Sequence, residues 1–153
     1  MKVESCVINE KQLFVGVGSP NGDDIIGWQV ARCLERSSRL PFVIKISESP
    51  VDILDWIEAY DRLVIIDAFQ GERVGKLWRW EWNDRQWAQQ RWSGTHDFGL
   101  VPTLHLAEEL GWLPQQTTIW GVEANYFEKG NEMTSELATK VEHIAAEIEQ
   151  YYA

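Results

Sequence analysis

The sequence predicts a three-layer α/β sandwich: a twisted, mostly parallel sheet of about five strands, with helices on both faces and an edge hairpin. Three observations carry that prediction. Strand-like and helix-like segments alternate nearly throughout, the pattern that places helices over a mostly parallel sheet. Residues 62–67 (Arg-Leu-Val-Ile-Ile-Asp) form a continuous apolar run, as expected of a strand covered on both faces. Residues 13–18 lead through Gly16-Val17-Gly18 into a helix-like stretch, a strand, a glycine-rich turn and a helix start. The length of 153 residues suits one domain spanning 1–153 with a real core.

Taken in order, residues 13–18 are the first buried strand, and Cys6-Val7-Ile8 is a short strand before it or a frayed end. Residues 24–38 read as a helix, with Ile26, Val30, Cys33 and Leu34 at helical spacing. One of Asp23 and Asp24 is expected to cap it. Residues 41–46 are the second strand. Residues 51–59 are a short helix with Ile53, Leu54 and Ile57 inward and Pro50 near its start. The third strand ends on Asp67.

The pattern then changes. Residues 71–82 alternate, with Trp78, Trp80 and Trp82 on one face, as in an antiparallel edge strand paired with Arg73-Val74. That indole face either packs at the sheet edge or grips a partner, since tryptophan is enriched at interface hot spots. Residues 93–99 form a loop containing His96. Residues 102–110 read as a helix with Leu104, Ala107 and Leu110 inward, stopped by Gly111. Residues 117–123 are the last core strand. Thr134 caps a final helix whose Leu137, Val141, Ile144 and Ile148 keep a 3.6 period.

Composition removes several function classes. With 24 acidic against 14 basic residues the formal charge is −10, the wrong sign for nonspecific nucleic-acid or anionic-membrane binding. No apolar run approaches the ~20 residues of a membrane span, and the first residues lack a signal peptide's plan. A cytoplasmic protein is expected. Cys6 and Cys33 have no metal-type spacing, and Cys33 reads as a buried hydrophobe.

In open α/β sheets, sites form outside the carboxyl ends of the strands. Three polar residues are expected there: Asp24 after the first strand, Asp67 closing the third, and His96 before the helix leading to the last. Two carboxylates and an imidazole suit a divalent cation with an open position, and the same groups can do acid–base work. Each has a plainer reading: Asp67 as a strand end, His96 as a loop histidine against Trp92 or Phe98. His105 and His143 are expected on surface or packing positions. Ser19 lacks a nucleophile elbow. Gly16-x-Gly18 only approximates a dinucleotide fingerprint, and the Asp23-Asp24 pair would repel phosphate.

Four stretches in this order resemble the hydrogenase maturation endopeptidases: residues 16–27 (Gly-Val-Gly-Ser-Pro-Asn-Gly-Asp-Asp-Ile-Ile-Gly), Val64-Ile65-Ile66-Asp67-Ala68, Thr95-His96-Asp97, and Trp120-Gly121-Val122-Glu123. The resemblance implies a twisted sheet between helical layers. It implies an endopeptidase that removes the C-terminal extension of a nickel–iron hydrogenase large-subunit precursor after nickel insertion. Matched motif by motif, Asp24, Asp67 and His96 become both the catalytic and the nickel-recognising residues. The nickel is carried by the precursor, and no organic cofactor, nucleic acid or membrane is implied. A non-catalytic metal-sensing or precursor-binding chaperone of the same fold is the alternative. The chain departs from the family pattern in an opening loop about one residue shorter, in Ser19 where asparagine is typical, in Ile25 for glycine or alanine, and in Ala124 for proline.

Overall fold

The computed structural model describes residues 11–93 and 98–153. Among the described residues the strands and α-helices are, in chain order, β1 (Gln12–Val17), α1 (Ile26–Ser37), β2 (Phe42–Ser47), β3 (Arg62–Gln70), β4 (Leu77–Glu81), α2 (Leu100–Glu109), β5 (Gln116–Ala124), α3 (Ser135–Ala138) and α4 (Val141–Tyr152). The five strands form one sheet in the order β2-β1-β3-β5-β4. All neighbours are parallel except β4, which runs antiparallel to β5 at the edge. The sheet is thus the predicted mostly parallel one with helices on both faces.

The inner strands β1, β3 and β5 are buried along nearly their whole length because each faces two cores. Alternate residues of β3 divide between them: Val64, Ile66 and Ala68 join one cluster, and Leu63, Ile65 and Phe69 the other. The first cluster is closed by Val30 and Leu34 of α1 with Leu137, Ile144 and Ile148 from α3 and α4. The second is closed by Ile53 and Ile57, by Leu104 and Ala107 of α2, and by Trp80 and Trp87. A period of two on the strands therefore meets a helical period on each side.

Several expectations are corrected. Residues 51–59 are two 3-10 turns, Pro50–Asp55 and Ile57–Ala59. Nine residues with β-branched Val51, Ile53 and Ile57 are too few to sustain a cooperative α-helix. β3 does not end on Asp67 but runs to Gln70, because β5 accompanies it to Ala124. β4 makes no hairpin with Arg73-Val74; its partner is β5, inserted between β3 and β4. Leu110 points outward, 46% exposed, and α2 begins earlier, at the buried Leu100. Gly111 does stop α2, in the left-handed region at φ +76°. The final helix is interrupted at Thr139 and Lys140, and Thr134 makes no side-chain cap. The short strand at Cys6-Val7-Ile8 lies outside the described residues.

The indoles of the segment pack at the sheet edge. Trp80 and Trp87 are buried, and Trp78, Trp82 and Trp92 are half-buried against the same core. Trp78 stacks on Trp80 at 5.7 Å and 7°, and Phe69 meets the edges of Trp80 and Trp92. Gly121 makes room for this, since a Cβ there would lie 2.8 Å from the Phe69 ring. Trp87 is the largest wholly buried side chain, and its indole donates to the Trp82 carbonyl at 3.0 Å. Trp87→Ala is expected to cost about 3–5 kcal/mol, read as a lowered urea midpoint. Among the described residues no helix is long and apolar enough to cross a membrane.

Candidate active site

The strand order creates a crevice. From β1 the chain goes to β2 on one side and, after β2, to β3 on the other, so the connections diverge beyond the carboxyl ends of β1 and β3. The last β1–β3 pair is Gly16↔Ile66; the next residue, Asp67, pairs only with Gly121 of β5. Asp67 is therefore the first β3 residue past the last β1 pairing.

The opening loop delivers Asp24 to the same place. A 3-10 turn, Gly22–Ile25, joins the loop to α1. Glycines set the closeness of this junction. A Cβ on Gly16 would lie 2.3 Å from the Gly27 carbonyl oxygen, one on Gly18 2.4 Å from that of Asp24, and one on Gly27 2.2 Å from that of Val17. The obstacles are backbone atoms, so these positions require glycine for strand–helix contact. That gives the glycine pattern a packing role and removes the need for a phosphate to explain it.

The two carboxylates meet on one hydroxyl. Ser93 Oγ donates to Asp24 Oδ1 and lies 3.0 Å from Asp67 Oδ1. Ser19 Oγ donates to Asp24 Oδ2 at 2.6 Å, and the Ala68 N–H donates to Asp67 Oδ1 at 2.8 Å. Asp67 is wholly buried, and among the described residues its Oδ2 has no hydrogen-bond partner. Burial first, and the charge of Asp24 second, push the Asp67 carboxyl well above the usual carboxylate range; the contacts from Ser93 and the Ala68 N–H pull the other way. A serine hydroxyl has a single proton to give. One hydroxyl between two carboxylates therefore fits a proton held on Asp67.

A buried, partner-free carboxylate oxygen beside a second carboxylate is a donor set that fits a hard or borderline divalent cation. Such an ion would remove the like-charge repulsion and satisfy Oδ2. His96, the third expected member, lies outside the described residues. Among the described residues no group of three or more His, Cys, Asp or Glu side chains could hold a metal ion; Asp24 and Asp67 are a pair.

Neither aspartate caps a helix. Asp23 is wholly buried and accepts from the N–H and the hydroxyl of Thr134, both at 2.9 Å. Its own N–H donates to the Tyr126 carbonyl, and the Gly22 N–H to that of Asn131. The opening loop is thus tied to residues 126–134, which fixes the neighbour of Asp24. Of the other histidines, His105 packs on Trp82 and Trp87 and His143 is exposed near Glu147. Cys33 is a buried free thiol.

Two residues of this centre escape sequence reasoning. Ser93 sits in a stretch whose turn composition draws no notice to its hydroxyl. Ser19 stands where the family pattern has asparagine; its contact with Asp24 is the signal that the substitution could have carried.

The fold and the carboxylate pair define a doubly wound α/β protein with an acidic centre at its switch point. Comparison narrows the class. The family model HycI, hydrogenase maturation protease, matches residues 32–151, taking in Asp67 and His96 but not Asp24. The chain belongs to the hydrogenase maturation protease family and is, by that membership, a protease. Solved structures agree in fold. The hydrogenase maturating endopeptidase HybD of Escherichia coli is 22% identical with a TM-score of 0.73, over 90% of this chain and 89% of that one. The endopeptidase HycI of Escherichia coli is 19% identical with a TM-score of 0.72, over 94% and 92%. The [NiFe] hydrogenase maturation protease HybD of Thermococcus kodakarensis is 20% identical with a TM-score of 0.69, over 94% and 99%. No curated protein sequence matches the chain.

Proposed function

We propose that the protein removes the C-terminal extension of a nickel–iron hydrogenase large-subunit precursor, and that Asp24, Asp67 and His96 grip the nickel already inserted in that precursor. Family membership supports the reaction class. The observation that carries the nickel reading is the shared hydroxyl between Asp24 and Asp67, with a buried Asp67 oxygen left without a partner among the described residues. His96 takes the third position on its motif alone.

In this reading the ion belongs to the substrate and serves as a recognition signal. A precursor without it leaves Asp67 favouring its protonated form, a poor ligand and a poor base. A loaded precursor brings a positive charge, favours loss of that proton, and draws both carboxylates toward one point. The scissile peptide is held by the same grip, and a carboxylate is then free to take a proton from the attacking water.

The test is incubation of purified protein with nickel-loaded and nickel-free precursor, followed by intact-mass measurement. Loss of the C-terminal extension from the loaded form only is expected. Asp24→Asn, Asp67→Asn and His96→Ala should each lower the rate by about 100-fold or more. Equal cutting of the nickel-free form would remove the ion from the mechanism. Stable complex formation without mass loss would establish the escort reading instead.

A further inference from the structure

A cleft of about 300 Å³ opens beyond the carboxyl ends of β3 and β5. Arg73, Trp78, Trp80, Gln86, Gln90 and Glu123 form its working walls. Two segments of chain lead from it toward the acidic centre. Asp67 and Gln70 are three residues apart on β3, about 10 Å of extended backbone. On the other side Gln90 is three residues from Ser93, the hydroxyl that joins the two carboxylates. The two segments run side by side, with the Gln70 N–H donating to the Arg91 carbonyl at 2.9 Å and the Ser93 N–H to that of Ala68 at 2.9 Å.

Cations gather beside one wall of the cleft, at Trp78. In a chain of net charge −10, Arg73 and Lys76 both lie over the Trp78 ring, at 5.1 Å and 4.3 Å. Arg91 reaches the Gln70 side chain, and the Lys140 ammonium donates to the Val74 carbonyl at 2.9 Å. Among the described residues the acidic groups here are the exposed Glu72 and the buried Glu123. Glu123 is already committed: it accepts from the Arg73 N–H at 3.0 Å and the Trp78 indole at 2.7 Å, and Arg73 Nε stands 3.5 Å away. The Arg73 side chain is 62% exposed, so the far edge of its guanidinium remains open to a second anion. Around it, Gln70 and Gln86 present exposed primary amides and Gln90 a half-buried one, groups that can both give to and accept from a peptide backbone.

We propose that this cleft is the subsite for a flanking segment of the precursor, an extended peptide bearing a carboxylate that Arg73 receives about three residues from the scissile bond. The proposal rests on the protease reading and adds the chemistry of the substrate chain. It also gives two of the tryptophans a role: Trp80 is buried support, and Trp78 is the platform under Arg73 at the cleft wall.

The test uses the full chain and a fluorescein-labelled octapeptide of alternating glycine and glutamate, with its glutamine counterpart as control, read by fluorescence polarisation without nickel. The acidic peptide should bind at least fivefold more tightly than the neutral one. Arg73→Gln and Gln86→Ala should each weaken it by about fivefold or more, while His143→Gln, at an exposed position of α4 away from the cleft, leaves it unchanged. On precursor, Arg73→Gln should raise KM with kcat nearly constant. Equal binding of the two peptides, or affinity and KM unmoved in both cleft variants, would overturn the subsite. Because the peptide measurement needs no cutting and no nickel, it separates this result from failure of the peptidase reading. Gln86 is exposed and off the sheet, so its variant keeps the test decisive if Arg73→Gln unfolds.

Discussion

Asp67→Asn is expected to make the protein more stable at neutral pH while abolishing its processing activity. The sign follows from the raised pKa. A carboxyl whose folded value lies above its unfolded value of about 3.9 binds a proton more tightly when folded. Below that unfolded value both states are protonated and the group contributes nothing adverse. As pH rises through the window up to the folded value, the unfolded state ionises first, and the folded state must either keep its proton or bury a charge beside Asp24. The cost is complete above the folded value. Asparagine keeps the oxygen that meets the Ala68 N–H and removes the charge. The variant should gain about 1–3 kcal/mol at pH 7, the range for a buried polar group with incomplete partners, and converge with the parent below about pH 4. Urea titrations at a series of pH values measure this directly. A variant less stable than the parent at pH 7 would show that the acidic centre stores no strain. Such a trade, stability given up for function, is common at active sites.

The second large effect is expected at Gly27, an uncharged position at the start of α1. Gly27→Ala places a methyl 2.2 Å from the Val17 carbonyl oxygen and 3.0 Å from that of Ile66. These belong to β1 and β3, the two strands that border the crevice. Neither backbone can retreat without opening the centre of the sheet, so a loss of about 3 kcal/mol or more is expected, at the upper end for overpacking. Thermal unfolding tests the magnitude. A second consequence distinguishes this site from an ordinary core position: pushing α1 away from the sheet carries Asp24 away from Asp67. Activity should therefore fall even at temperatures where the variant remains folded. An alanine variant with native stability and native activity would remove the close-contact explanation for the glycine pattern.

Much of the fold was legible because it depends on one-dimensional signals. β1, β3 and β5 are buried on both faces, and the Leu-Val-Ile-Ile run of β3 announces it there. The amphipathic period of α1 marks Val30 and Leu34 correctly. Elements that depend on a distant partner were not legible. Nothing in residues 62–67 says that β3 continues to Gln70, since β5, about fifty residues later, holds it there. Arg73-Val74 looked like a hairpin partner for β4 because sequence neighbours are the default, whereas β5 takes the place between. At the candidate site, strand-end logic found the two aspartates that share the Ser93 hydroxyl. It missed Ser93 itself, because a serine in a polar loop resembles any other. The expected cap from Asp23 or Asp24 is absent, and the partner that occupies Asp23, Thr134, is remote in sequence.

The Asp23–Thr134 tie joins positions 111 residues apart. Synthesis proceeds from the amino end, so the loop bearing Asp24 emerges early and waits for most of the chain before its lock arrives. Until then a growing polypeptide has the acidic residues but no fixed arrangement for them. Proteolytic competence is thereby deferred to the finished molecule, and a truncated product ending before Thr134 is left without that lock.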